Sequence, residues 1–235
     1  MKCSYDIRLD INKDIWNWYD ASQPSSHGFD WRSNIDDEED RKIYDQISKL
    51  DKRRAYKVLK VYLNQKYKNQ TGSIKEYIHD ISTDFKQKFD LACKTIEAIT
   101  KRELSVKKFT FVLTTFPRCP YNPETGEIFF FVALNDPIKN FLHEILHFQF
   151  HHYWQDDLRS PVSELPKEKF EFLKESLTVV LDDSLKPLIK HADLGYPIHQ
   201  EFRKKLYKNW QKHHDFQKLI DFGMVELKDI KTDNR

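Results

Sequence analysis

Apolar and polar positions alternate at the start of the chain. Cys3, Tyr5, Ile7, Leu9 and Ile11 interleave with Ser4, Asp6, Arg8 and Asp10, the period of two that predicts a half-buried strand. Residues 12–35 break this pattern. Trp16, Trp18, Tyr19 and Trp31 surround the turn-forming SQPSSHG of residues 22–28, which reads as an aromatic loop capping the core. A run of acids, Asp36 to Asp40, suits the positive end of a helix. Ile43, Ile47, Leu50, Val58, Leu59, Tyr62 and Leu63 then recur at helical spacing, with a break near Asp51 and a stop at Gly72. Ser73 and Glu76 form an S-x-x-E capping box. The stripe Ile78, Ile81, Phe85, Phe89, Ala92, Ile96 and Ile99 predicts a long amphipathic helix behind it.

The pattern changes near residue 107. Phe109, Phe111 and Leu113 alternate with threonines as a strand, a turn-rich PRCPYNPETG follows, and EIFFFVAL at 127–134 is a second, apolar strand. Asn135 or Asp136 can cap the next helix, with Pro137 at its first position, and the helix should run to about Trp154. Residues 167–186 look helical again, as do 198–221. The expected architecture is α+β. A strand and helical portion spans 1–105, and a second portion spans 106–235.

Composition narrows the function classes. The 235 residues include 17 Phe, 11 Tyr and 5 Trp, too many aromatics for a disordered chain. Lys and Arg number 39 against 37 Asp and Glu, a net +2, so bulk charge gives no sign of a nucleic-acid or anionic-membrane partner. Only 5 Gly are present, and no Gly-rich phosphate loop can be written from them. Cys3, Cys93 and Cys119 are odd in number and far apart, which fits reduced thiols. The N-terminus lacks an apolar signal segment and no stretch is long enough to span a membrane, so the expectation is a cytoplasmic protein.

One motif carries chemistry. Residues 143–147 read His-Glu-Ile-Leu-His. Histidines four apart project from one helix face and can share a metal ion. Glu144 is placed to take a proton from a water that the metal activates. A shuffled chain of this composition would carry about 0.025 such matches. The motif also lies in a helix whose flanks, Phe141, Leu142, Ile145, Leu146 and Phe148, would bury it.

With the strand before it, HEILH resembles the zincin metallopeptidases. The metzincin branch needs Gly at 150 and His at 153, where this chain has Phe150 and Tyr153. KESLTVVL at 174–181 resembles the glutamate helix of gluzincins, which makes Glu175 the third ligand, 28 residues after His147. Glu168, Glu171 and Asp182 compete for that place. The resemblance covers roughly residues 108–185. It implies a zincin-like fold with a small sheet, an HExxH helix and a glutamate helix, one Zn²⁺ per chain, and hydrolysis of a peptide or protein substrate.

Gluzincins often carry an acid four residues after the ligand Glu to orient the first His, but here that residue is Val179. Thr178 or Asp182 on the same stripe can substitute. His151, four beyond His147, lies too far along the helix axis to share the ion and is a pocket-lining candidate. The resemblance also implies a downstream Tyr or His to stabilise the oxyanion; Tyr196 is the first choice, with His199 and His191 in the same region. The strand at 127–133 is a candidate sheet edge for pairing with an extended substrate. The basic stretch Arg203–His214 reads as a solvated helix face. The rival reading is a metal-binding or protein-interaction protein, zincin-like or purely helical, without peptidase activity.

Overall fold

The structure is a computed structural model that describes residues 2–23, 30–186 and 188–230. It is α+β, with a small mixed sheet and mostly helical content. The chain forms two compact units, and the division does not fall at 105/106. One unit contains Ser4–Thr83 and Lys108–Asn135; the other contains Met1–Cys3, Asp84–Lys107 and Asp136–Arg235. The reason is strand pairing. β1 (Ser4–Leu9) lies parallel to β2 (Lys108–Thr114), with Tyr5 opposite Phe109 and Ile7 opposite Phe111. The first strand therefore shares a sheet with residues about a hundred positions on.

The sheet order is β1-β2-β4-β3, where β3 is Tyr121–Asn122 and β4 is Glu127–Phe131. β4 is parallel to β2 and antiparallel to β3. It is shorter than the 127–134 read from its apolar run, and it lies between two strands instead of at the expected edge. The two-residue β3 is hidden in the turn-rich segment, where Pro and Asn mask its pairing.

Residues 12–35 are not the loop that their aromatic content suggests. Ile11–Ala21 form helix α1, capped by Asp10, whose carboxylate accepts from the Asn12 and Lys13 amides. Ile11, Ile15 and Trp18 occupy one face at helical spacing, and Ile15 and Trp18 are buried. Of the turn signal at 22–28, residues 24–28 lie outside the described residues. α1 is fixed by a buried polar network. Asp14 accepts from Thr114 Oγ1 (2.6 Å), Thr115 Oγ1 (2.8 Å) and the Tyr67 hydroxyl (2.7 Å). Trp18 Nε1 donates to Thr115 Oγ1 at 3.1 Å.

α2 (Glu38–Ile47) and α3 (Lys52–Asn69) are separated near Asp51, which caps α3. α4 (Thr71–Thr100) starts earlier than the capping box implies: the Ile74 amide already donates to Gln70 O at 2.9 Å, so Gly72, Ser73 and Glu76 are inside the helix.

In the second unit, α5 (Pro137–Phe150) is capped by Asp136 and starts with Pro137. It passes into a π-helical turn, His151–Gln155, instead of continuing as α-helix to Trp154. Phe141 packs on Phe85 and Phe89 of α4 at 5.5 and 5.4 Å between ring centres. Phe150 stacks on Phe170 of α6 (Lys167–Leu177) at 5.3 Å. α6 gives way to 3₁₀ turns before residue 186. The last predicted helix is two, α7 (Gln200–His213) and α8 (Phe216–Glu226), because His214 adopts φ 44°. Cys3, Cys93 and Cys119 form no disulfide. Among the described residues, no helix is long and apolar enough to cross a membrane.

Candidate metal centre

α5 and α6 bring three donor groups together. His143 and His147 lie one turn apart on α5, with Nε2 atoms 2.8 Å apart. Glu175, on α6, directs one carboxylate oxygen at each: Oε2 is 3.5 Å from His143 Nε2 and Oε1 is 3.3 Å from His147 Nε2. Donors about 2.1 Å from a shared tetrahedral ion stand about 3.4 Å apart. The observed spacings bracket that value, and all the ligand atoms fall within 4.8 Å of one another. The competing acids are elsewhere. Glu171 pairs with Lys174 at 2.5 Å, Glu168 is in the first turn of α6, and Asp182 accepts from Ser184 and Gln211.

The acceptor for His143 is Asp193, whose Oδ2 is 2.6 Å from His143 Nδ1. The expected substitutes do other work. Thr178 Oγ1 donates to Glu175 O at 2.8 Å and accepts from Arg203 Nη1 at 2.6 Å, while Asp182 caps a 3₁₀ turn. With Nδ1–H donated to Asp193, the neutral tautomer of His143 leaves its Nε2 lone pair facing the triad.

Charge is balanced tightly here. His147, 1% exposed, is pushed down to about 3, by burial first. Burial also lowers His143, but Asp193 and then Glu175 outweigh it and hold the imidazole well above its ordinary value. The same histidines overcome burial to hold Glu175 far below the carboxylate range. Asp193 is held at about 2: burial raises it, and His143, then Arg203, more than offset this. In the absence of metal, these carboxylates favour the protonated form of His143.

Glu144 lies beside the triad, almost fully buried, and its Oε2 has no hydrogen-bond partner. Burial first, with Glu175 adding to it against His143, pushes it up to about 8. A buried carboxylate oxygen without a partner is costly unless a water or ligand meets it. The donor set could hold a metal ion, with this oxygen beside it.

Tyr196 is 44% exposed on the loop after Asp193. Desolvation first, then the charges of Glu175, Glu144 and Asp193, raise its phenol well above the ordinary value, so the proton stays on oxygen. His199 is buried against Phe172 at 4.6 Å, with Tyr196 at 5.9 Å, and burial keeps it neutral at neutral pH. His151 bonds Gln155 through Nδ1 and packs on Phe170 at 5.0 Å, apart from the three ligand groups. His191 is exposed.

Three participants escaped the sequence reading. Asp193 is fifty residues from its histidine. Lys174 is buried between Glu171 and Glu175, 3.5 Å from the latter. Arg203, assigned to a solvated basic face, is only 4% exposed, and its guanidinium reaches Glu175 O at 3.1 Å and the Asp193 carbonyl. Lys204, Lys205, Lys208 and Lys212 of that stretch are exposed as expected. The only cue to Arg203 is its position one residue from the apolar stripe Phe202, Leu206 and Trp210.

No family model matches the chain, and no curated protein or solved structure shows significant similarity to it.

Proposed function

We propose that this protein is a zinc-dependent metallopeptidase of gluzincin type, with one zinc ion per chain held by His143, His147 and Glu175. The observation that carries the reading is Glu144, a buried carboxylate with an unpartnered oxygen next to a His-His-Glu donor set. Two imidazoles and one carboxylate suit zinc among the divalent metals and leave a fourth position open. Bound there, zinc supplies a Lewis acid that acidifies water and polarises a peptide carbonyl.

The chain's residues do the rest. Glu144 takes a proton from the attacking water and delivers it to the departing amine. Its raised pKa suits both tasks, because the carboxylate accepts the proton readily and the acid releases it near neutral pH. The Tyr196 phenol donates a hydrogen bond to the carbonyl oxygen as negative charge develops. Asp193 fixes the tautomer of His143, and Arg203 ties the end of the glutamate helix to the loop carrying Asp193. A zincin-like fold follows from this reading, with a peptide or protein as substrate and no nucleic acid.

The test is metal content and hydrolysis in parallel. Wild-type protein should contain about one zinc per chain, largely lost in His147→Ala and Glu175→Gln. Glu144→Gln should keep zinc and lose peptide cleavage by at least about a hundredfold. Protein that takes up no metal overturns the reading. Zinc uptake without cleavage of a diverse peptide library leaves a metal-binding protein.

A further inference from the structure

The first residues of the chain run along α4. Lys2 Nζ pairs with Asp90 Oδ2 at 3.2 Å, and Ser4 opens β1 opposite Lys108. Lys107, next to Lys108, reaches Glu97 Oε1 at 3.3 Å. Asp90, Cys93 and Glu97 are spaced three and four residues apart, so they share one face of α4. Cys3 lies between Lys2 and Ser4, and the Cys93 thiol hydrogen-bonds its sulfur. Ion pairs near the surface add little stability. These two flank the thiols and mark the path of the chain past Cys93.

The two cysteines differ in access. Cys3 is partly exposed, whereas Cys93 is 4% exposed. Burial first, then Cys3 beside it, raises the Cys93 thiol above its ordinary value, so that thiol keeps its proton. Cys119 belongs to the other unit, where it lies by Tyr77. An oxidant from solution therefore meets Cys3 first, and Cys93 is the thiol already in contact with the oxidised sulfur.

We propose that Cys3 and Cys93 are a reversible redox pair, joined as a disulfide by a hydroperoxide and reopened by a dithiol. With hydrogen peroxide, the Cys3 sulfur attacks one peroxide oxygen. The O–O bond breaks, Cys3 becomes a sulfenic acid, and one water leaves. The Cys93 sulfur then attacks the Cys3 sulfur. The S–S bond forms, the S–O bond breaks, and the hydroxide departs with the Cys93 proton as a second water. Two thiols together lose two electrons, and one peroxide is reduced to two waters. Because the thiols are already in contact, their joining needs little backbone movement. A dithiol reverses the reaction by thiol–disulfide exchange.

The bond closes a loop of about 90 residues. It fastens the start of the chain to α4, whose Phe85 and Phe89 pack on Phe141, two residues before His143. No residue of the metal centre takes part, so the proposal stands or falls separately from the peptidase reading.

The experiment treats reduced full-length protein with a small excess of hydrogen peroxide and then blocks the remaining thiols with iodoacetamide. Titratable thiols should fall from three per chain to one. Peptide mapping by mass spectrometry should find the Cys3 peptide linked to the Cys93 peptide, with Cys119 alkylated. Cys3→Ser should abolish the link and Cys119→Ser should preserve it. Cys3 is partly exposed, so its replacement leaves the core packing of Cys93 in place. Oxidised wild type should melt at least about 5 °C above the reduced form, and dithiothreitol should erase the difference. Peroxide should leave the melting of Cys3→Ser unchanged.

The proposal is overturned if all three cysteines are still alkylated after peroxide, or if Cys3 ends as a sulfinic or sulfonic acid beside an alkylated Cys93. Links that join two chains, or that involve Cys119, overturn it too. So does a linked protein that melts no higher than the reduced one, since the bond would then have captured a contact foreign to the native fold.

Discussion

Nδ1 of His143 lies 2.6 Å from Oδ2 of Asp193, a carboxylate fifty residues away whose side chain is 9% exposed. This contact orients the first imidazole of the triad and fixes which nitrogen faces Glu175. An acceptor of this kind raises ligand basicity, and its loss typically costs 10–100-fold in affinity. Asp193→Ala should therefore weaken zinc binding by about 10–100-fold, read by competition with a chromophoric chelator. Unchanged affinity would show that His143 is oriented by other contacts.

Metal uptake should release protons. His143 is held well above its ordinary value by Asp193 and Glu175, so at pH 7 without metal it carries a proton on Nε2. A ligating nitrogen must be bare, so that proton must leave. Glu144, near 8, is also mostly protonated at pH 7 and loses its proton when a cation arrives. At least one proton per zinc should appear at pH 7, and the number should fall as pH rises through about 8, where metal-free Glu144 gives up its proton unaided. Calorimetry in buffers of different ionisation enthalpy measures it. No release at pH 7 would remove His143 from the ligand set.

Gly195→Ala should destabilise the protein. The residue has φ +62°, and a methyl group would press on the Arg203 side chain at 2.8–2.9 Å. Left-handed backbone on a residue with a Cβ and displacement of a buried guanidinium together should cost about 1–3 kcal/mol. Urea denaturation checks the stability. Because Arg203 also holds the Asp193 carbonyl, zinc affinity should drop in the same variant.

Asp14→Ala addresses the other unit. The carboxylate is fully buried and accepts from Thr114, Thr115 and Tyr67. Its removal leaves several buried donors without partners and should cost about 3 kcal/mol in a denaturant titration. A cost below about 0.5 kcal/mol would mean that water replaces the carboxylate.

The sequence by itself determined the features that depend on near neighbours. Period-two alternation located β1 and β2, Pro137 behind Asn135 or Asp136 located the start of α5, and the four-residue spacing of His143 and His147 placed both on one face. These are consequences of local backbone geometry, and a few adjacent residues suffice to specify them. Glu175 was legible only through a resemblance, because nothing in its own surroundings separates it from Glu168 or Glu171. Tertiary structure alone decided the rest. Aromatic density concealed the amphipathic stripe of α1, and parallel pairing of β1 with β2 moved the division of the chain away from residue 105. Asp193, Lys174 and Arg203 joined the site through contacts that no spacing rule encodes: a salt bridge or a buried guanidinium takes whichever partner the fold brings within about 3 Å, whatever their separation along the chain.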